Sequence, residues 1–222
     1  MMTKTRVTTV LCDLDGTLIE SNHAIAAAFQ HAWGHVMTSE PAAADEISRH
    51  IGKPLEVMAQ ALGLQLSAAE LDVFLATYRG HFNDHGAALT KVYPGVEKTL
   101  ERLSELALGV VTTEGQGPAE IVLSQLGLSR FFGQVQGMQP GLRAKPEPDT
   151  ILAALRQLGS TPKQALMVGD TPADILAGRA AGVRTCAVSY GFGDAEAMGQ
   201  CEPDYAIDAF GELVGVVERL RR

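Results

Sequence analysis

The stretch VLCDLDGTL, Val10 to Leu18, places two aspartates directly after an apolar run. Asp13 and Asp15 are separated by a single residue, and a Gly-Thr pair follows them. Two like charges at the edge of an apolar core cost free energy unless a cation compensates them. The stretch therefore predicts a buried strand whose carboxyl end carries a charged site.

Similar apolar runs of strand length recur along the chain. They lie at Val7–Cys12, Leu108–Thr112, Gln134–Met138, Ala165–Gly169 and Val183–Ser189. The runs lack clean alternation, which is typical of strands buried on both faces of a parallel sheet. Helical patterns separate the later runs, and strand–helix alternation predicts right-handed crossovers. The sequence therefore predicts an α/β fold with a doubly wound parallel sheet, Rossmann-like in its core.

One region, residues 20–89, breaks this alternation. It contains amphipathic helical patterns such as AIAAAFQHAW and AAELDVFLATYRGHF, and no convincing strand. Because the region follows the first strand directly, we expect an inserted all-helical cap over the edge of the sheet where open α/β sheets bind ligands. The predicted domains are residues 1–19 and 90–222 for the α/β core, and residues 20–89 for the helical cap.

Composition excludes several classes of partner. The chain has 222 residues, a net charge of −8 and no basic run, so nucleic acid and anionic membranes are poor partners. The first residues lack the apolar stretch of a signal peptide, and no apolar run reaches membrane-spanning length. The three cysteines are scattered and odd in number, unlike a disulfide framework or a zinc site. We expect a cytoplasmic protein that is a monomer or a homodimer.

Polar residues fall near the ends of four predicted strands. They are Asp13 and Asp15, Thr112, Lys145, and Asp170 with Asp174. The carboxyl ends of strands in a doubly wound sheet lie at one edge, so these side chains can share a cleft. Oxygen-only ligands favour Mg²⁺ over zinc. A Mg²⁺ ion together with the lysine would neutralise the carboxylates and admit a phosphate dianion.

The two aspartates of the opening stretch then suit different chemical steps. Asp13 can attack phosphorus and become an aspartyl-phosphate. Asp15 can give a proton to the leaving oxygen and later take one from water. Gly16 lets the chain turn close to the ligand, and Thr17 can hold that turn.

These segments resemble the four ordered motifs of the haloacid dehalogenase-like hydrolases. The motifs are DLDGT at 13–17, the threonine at 112, the lysine of KPEPD at 145 and GDTPAD at 169–174. The position of the helical insertion is similar to that of the phosphoglycolate phosphatase-like branch. The resemblance implies that Asp13 is the nucleophile, that Asp15 is the acid/base, and that Lys145 stabilises the nucleophile and the transferred phosphate.

The same resemblance implies the ligands of the metal and of the phosphoryl group. Asp170 would bind Mg²⁺ beside Asp13 and the backbone oxygen of Asp15. Asp174 would support the metal without contacting it. Thr112 would bind the phosphoryl group, and Thr113 belongs to the same predicted phosphate-binding segment. The competing interpretations are local: a helix cap and first-turn acid for the later aspartates, and a solvated side chain for the lysine.

The chain departs from the family pattern after Thr112. The family often has Asn-Lys there, whereas this sequence has Thr113 and Glu114. Glu114 could favour a helix N-terminus, repel strongly anionic substrates or pair with a cap residue. The departure leaves the substrate open.

The predicted cap adds weaker candidates. Arg49 and Lys53 in RHIGKPLEVM could hold a substrate carboxylate, and His23 lies where the chain enters the cap. The remaining cap histidines include two pairs with i, i+4 spacing, His31/His35 and His81/His85, without a clear third metal ligand. We interpret these pairs as surface or partly buried residues. The segment SYGFG at 189–193 is predicted to be a loop near the site.

The favoured hypothesis is a Mg²⁺-dependent phosphatase of small phosphorylated metabolites, with phosphoglycolate as the first substrate to consider. A pyrophosphatase or nucleotidase is the main alternative, followed by a hexose-phosphate mutase. A non-catalytic phosphate-binding module is the least favoured alternative, because both Asp13 and Asp15 are intact.

Overall fold

The computed structural model describes residues 6–221, and its centre is a six-stranded parallel sheet with the strand order β5-β4-β1-β6-β7-β8. These strands are β1 Thr9–Cys12, β4 Ala107–Gly115, β5 Gln134–Met138, β6 Ala165–Gly169, β7 Arg184–Val188 and β8 Tyr205–Ile207. The chain order changes direction on either side of β1, as a doubly wound sheet requires. The predicted fold class is therefore confirmed.

Helices cover both faces of the sheet. In the order of the described chain, the α-helices of the whole protein are α1 Asn22–Val36, α2 Ala44–Ser48, α3 Leu55–Ala61, α4 Ala68–His85, α5 Val96–Arg102, α6 Gln116–Gln125, α7 Asp149–Gln157, α8 Pro172–Ala181, α9 Ala195–Gln200 and α10 Leu213–Arg221. Successive residues of β1 enter different hydrophobic clusters, since Val10 and Cys12 belong to one and Leu11 to the other. Burial on both faces explains why the strand sequences are apolar without alternation.

The strand β4 differs from its prediction. It continues to Gly115, and its pairing with β5 shifts register between Val111 and Gly115. Thr112 was predicted to end a strand, but it lies inside this irregular stretch. Such an irregularity frees backbone groups from regular pairing and re-aims side chains, which is common near active sites.

Residues 22–85 form the helices α1 to α4, without a strand in that range. Two short strands, β2 Ile19–Glu20 and β3 Lys91–Val92, pair antiparallel where the chain enters and leaves this helical region. The division into a core and a cap stays a prediction. Across residues 6–221, no helix is both long and apolar enough to cross a bilayer.

Candidate active site

Lys145 is the centre of a buried ion cluster. Its Nζ donates hydrogen bonds to Asp13 Oδ1 at 2.7 Å, to Asp174 Oδ1 at 2.5 Å and to the carbonyl oxygen of Val111 at 3.2 Å. Asp13 follows β1 directly, while the lysine reaches it from the loop between β5 and α7. All three charged side chains are almost completely buried. The fold therefore brings together residues that are more than a hundred positions apart, as the motifs predicted.

Asp170 lies beside this cluster and is held by two donors. The Thr17 hydroxyl donates to Oδ1 at 3.0 Å, and the backbone N–H of Phe192 donates to Oδ2 at 2.7 Å. Gly16 has a φ of +85°, and a Cβ at this position or at Gly191 would overlap the Asp170 side chain. The DLDGT turn and the loop at 189–193 therefore enclose Asp170 from two sides, a role that the sequence did not assign to the loop.

Asp174 has two structural partners. Its Oδ2 accepts hydrogen bonds from the backbone N–H and the hydroxyl of Thr171, which forms a capping box at the start of α8. Its Oδ1 accepts the bond from Lys145. The local interpretation as a first-turn acid therefore holds for Asp174, and the residue also positions the lysine. The N-cap of α8 is Thr171, so capping does not account for Asp170.

The cluster carries more negative charge than the lysine can neutralise. Carboxylate oxygens of Asp13, Asp170 and Asp174 lie within 4.8 Å of one another. Burial and the charge of Asp174 raise the pKa of Asp13, and the same two causes raise the pKa of Asp170 to about 7. Burial opposes the charge on Lys145, but the aspartates still raise its pKa, so it stays protonated. An all-oxygen donor set with surplus negative charge fits a hard divalent cation such as Mg²⁺.

Asp15 is half-buried and lies apart from that carboxylate cluster. The hydroxyl of Ser21 donates to its Oδ1 at 2.5 Å. Burial raises the pKa of Asp15, against the opposing effects of Ser21 and Lys145. A carboxyl group with a raised pKa is suited to donate a proton near neutral pH.

Asp15 opens onto a cavity of about 30 Å³ between the helical region and the sheet edge. The polar residues lining it with Asp15 are Lys53, Tyr78, Thr113 and Glu114, and the apolar ones include Ile25, Ile51, Leu55 and Met58. Thr112 is buried next to it, and its hydroxyl oxygen accepts the backbone N–H of Glu114 at 3.0 Å. The cavity therefore lies between Thr113 of the predicted phosphate-binding segment and residues of the predicted cap.

The two cap cations predicted from sequence differ in position. Lys53 is exposed but lines the cavity, and its Nζ donates to His50 Nδ1 at 3.1 Å. Arg49 is exposed and is not among the residues lining the cavity. His23 is exposed at the start of α1 and also lies outside the cavity lining. Proximity therefore favours Lys53 of these three.

Glu114 is a buried acid at the rim of the site. Its Oε1 accepts the backbone N–H of Gly115 at 2.8 Å, and its Oε2 faces the hydroxyl of Tyr78 on α4 at 3.5 Å. Burial and the nearby Asp15 raise the pKa of Glu114 to about 7, although Arg79 lowers it in part. This geometry fits two of the three interpretations of Glu114: it accepts the N–H of Gly115, the N-cap of α6, and it faces Tyr78 of the helical region. Tyr78 was not predicted to be a site residue. No motif surrounds it, and the sequence pattern indicates only an apolar position of a helix.

We expect Glu114→Gln to stabilise the protein at high pH and not at low pH. The unfolded carboxyl ionises near its ordinary pKa of 4.5, whereas the folded one keeps its proton up to about 7. Wild-type stability should therefore fall as pH rises between these values, by about 1–3 kcal/mol, and the glutamine variant should lack this loss. Urea unfolding of both proteins at pH 5 and pH 8 measures the difference. An equal effect of the substitution at both pH values would contradict the raised pKa.

The comparisons with known proteins agree with this geometry. A curated relative from Bacillus pumilus, pyrophosphatase PpaX, is 34% identical over 218 residues and covers 97% of this chain and 99% of its own. PpaX from Bacillus velezensis is 31% identical over 217 residues, covering 97% and 98%. A crystal structure of a predicted phosphoglycolate phosphatase from Haemophilus somnus superposes with a TM-score of 0.84 at 26% identity, covering 97% and 99%.

The family model for the haloacid dehalogenase-like hydrolases matches residues 10–188. That range runs from the strand before Asp13 to the end of β7 and includes Lys145, Asp170 and Asp174. The chain belongs to the haloacid dehalogenase-like hydrolase family.

Proposed function

We propose that this protein is a Mg²⁺-dependent phosphatase that acts through an aspartyl-phosphate on Asp13. The observation that carries the proposal is the bonding of the Asp13 carboxylate. Its Oδ1 accepts the bond from Lys145, whereas its Oδ2 has no hydrogen-bond partner among the described residues. A buried carboxylate with one oxygen held by a cation and the other free is oriented for attack on phosphorus.

The residues around Asp13 would have different roles in the first step, the transfer of the phosphoryl group to Asp13. Lys145 holds the attacking carboxylate in place and lies next to the charge that develops on the transferred phosphoryl group. Asp13, Asp170 and the backbone oxygen of Asp15 would hold the metal. When bound, Mg²⁺ supplies positive charge that offsets the carboxylates and the incoming phosphate.

Asp15 would handle the protons of both steps. Its raised pKa supports protonation of the leaving oxygen in the first step. The resulting carboxylate can then take a proton from the water that hydrolyses the aspartyl-phosphate. The Ser21 hydroxyl fixes the orientation of this carboxyl group through its bond to Oδ1.

Chelation tests the need for the metal. Exhaustive treatment with EDTA should abolish hydrolysis of p-nitrophenyl phosphate, and added Mg²⁺ should restore it. Ca²⁺ should inhibit, because its larger and looser coordination shell displaces the reacting oxygens. Full activity after chelation would contradict a metal role for Asp170.

For the substrate, we propose pyrophosphate first and phosphoglycolate second. The sequence alone ranked phosphoglycolate first, but the curated relatives named pyrophosphatase share 30–34% identity over at least 95% of this chain. The structure named as a predicted phosphoglycolate phosphatase shares 26%. Initial rates on both compounds, with p-nitrophenyl phosphate as a reference, measure the ranking directly. A higher kcat/KM for phosphoglycolate than for pyrophosphate would reverse it.

Both candidate substrates carry a second anionic group, and Lys53 is the cation on the cavity that could meet it. Lys53→Ala should lower kcat/KM for them by about ten- to a hundredfold, the value of a lost charge-assisted hydrogen bond. The aryl phosphate lacks the second anion and should change little. Arg49→Ala is the matched control, since this exposed cation lies outside the cavity lining. A larger effect from the arginine substitution would exclude Lys53 from this role.

A further inference from the structure

Four histidines form a continuous cluster on the surface of the helical region. The ring centroids of His31 and His35 on α1 are 4.7 Å apart, and those of His81 and His85 on α4 are 4.8 Å apart. The two pairs meet through His31 and His81, whose centroids are 4.5 Å apart. The sequence spacing showed each pair, but only the packing of α1 against α4 brings the pairs together.

The helices beneath the cluster are firmly packed. Phe29 of α1 meets Phe74 of α4 edge to face, with ring centroids 5.0 Å apart, and both rings are completely buried. Buried aromatic contacts of this kind fix the spacing of two helices. The backbone positions of His31 and His81 are therefore set by the core, while their rings lie towards the surface.

Metal binding requires neutral imidazole, and the orientation of the rings matters as well. Burial lowers the pKa of the half-buried His81, and His31 and His85 lower it further against the opposing charge of Asp84. His35 Nδ1 lies 2.9 Å from the carbonyl oxygen of His31. A carbonyl can only accept, so this nitrogen is the donor, which leaves Nε2 as the ring nitrogen that a metal could contact. Metal-binding histidines are commonly oriented by such a bond.

We propose that this cluster is a binding site for one divalent transition-metal ion of the Zn²⁺ type, with His31, His81 and His35 as its ligands. Imidazole-only donors select Zn²⁺, Ni²⁺ or Cu²⁺ and bind Mg²⁺ poorly, so this site is distinct from the aspartate cluster. Tetrahedral Zn²⁺ holds its ligand nitrogens roughly 3.4 Å apart. Neighbouring rings with centroids 4.5–4.7 Å apart can reach that spacing by turning.

Binding requires such a turn. Within residues 6–221, the aspartates of the candidate active site are the group that already brings three donor atoms within 4.8 Å. His31 is exposed, so its ring can change rotamer without disturbing the core, while His35 keeps the bond from its Nδ1 to the carbonyl oxygen of His31. An ion that joined His31 and His35 to His81 would link α1 to α4 and stabilise the helical region by mass action.

Zinc titration of the whole protein tests the proposal, with saturating Mg²⁺ present to occupy the aspartate cluster. Wild type should bind Zn²⁺, and its melting temperature should rise. Loss of a group that only orients a metal ligand costs about 10–100-fold in affinity, so His81→Ala should weaken binding at least about a hundredfold. The double substitution His31→Ala, His81→Ala should remove both the binding and the thermal shift. His85→Ala should have a smaller effect than His35→Ala.

His23→Ala is the matched control, because His23 is an exposed histidine of α1 outside the cluster. This variant should bind Zn²⁺ as the wild type does. Circular dichroism confirms that each variant keeps its helices. Unchanged Zn²⁺ affinity in the double variant would overturn the proposal, and so would the absence of Zn²⁺ binding to wild type. Neither result bears on phosphatase activity, which is measured separately with Mg²⁺ alone.

Discussion

Asp13→Asn should reduce turnover of any phosphate substrate by at least about four orders of magnitude while the protein stays folded. An amide of the same shape is a poor nucleophile, and loss of a nucleophile in a catalytic unit has effects of this size. Stability should not fall. The substitution removes one negative charge from a cluster of three buried carboxylates, two of which bond to the same lysine. Steady-state kinetics and urea unfolding on the same preparation measure both effects.

Asp72→Asn is the matched control, because Asp72 is exposed on α4 and belongs neither to the carboxylate cluster nor to the cavity lining. This variant should keep wild-type turnover. Wild-type-like activity of a clean Asp13→Asn preparation would remove Asp13 from the mechanism. A large loss of stability in that variant would instead assign Asp13 a structural role through its bond to Lys145.

Lys145→Met should lower both stability and activity. The side chain of Lys145 is 2% exposed, and it bonds to carboxylates that are 6% and 0% exposed. Removal of one partner from a buried ion pair leaves an uncompensated charge and costs about 3–5 kcal/mol. Methionine preserves the apolar stem, so the loss reports on the charge. Activity should fall as well, because Asp13 would lose the group that orients it.

Lys98→Met provides the control for this substitution, since Lys98 is an exposed residue of α5. Surface substitutions of this kind change stability by about 0.5 kcal/mol or less. Urea unfolding of both variants gives the comparison. If Lys145→Met were as stable as Lys98→Met, the buried lysine would not be needed to compensate the aspartates.

Much of the sheet was predictable because its strands are buried on both faces. The five apolar runs correspond to β1, β4, β5, β6 and β7; the ends of β5 and β6 agree with the prediction, and those of the other three differ by up to three residues. The strand β8 was missed because Tyr205–Ile207 has only three residues, too few to stand out as an apolar run of strand length. The extension of β4 past Thr112 was missed because polar residues continue the strand through an irregular register.

Some features of the site can be predicted from sequence motifs, and others arise only from the packing of helices and loops. Asp13 and Asp170 directly follow the neighbouring strands β1 and β6, which is a property of the topology, whereas Lys145 reaches Asp13 from the loop after β5. The contact between Glu114 and Tyr78 joins residues 36 positions apart and depends on how α4 lies against the sheet edge. The hydrogen bond from the backbone N–H of Phe192 to Asp170 likewise depends on the path of a loop. Because the donor is a backbone group, the bond does not require a particular residue type and cannot be recognised in the sequence.

The histidine cluster was also only partly predictable from the sequence. The i, i+4 spacing within each pair is visible in sequence because helical geometry places such residues on one face. The approach of His31 to His81 joins residues 50 positions apart, and only the docking of α1 on α4 produces it. The sequence therefore indicated two ordinary surface pairs, whereas the fold makes one cluster.

Trapping of the phosphoenzyme tests the chemistry of Asp13 most directly. The Asp15→Asn variant lacks the base for the second step, so its covalent intermediate should accumulate with p-nitrophenyl phosphate, whose leaving group needs little protonation. After an acid quench, peptide mapping by mass spectrometry should find one phosphoryl group, on Asp13, and none in the Asp13→Asn, Asp15→Asn double variant. A phosphoryl group on another residue, or nitrophenol release with Asp13 unmodified throughout, would contradict an aspartyl-phosphate mechanism.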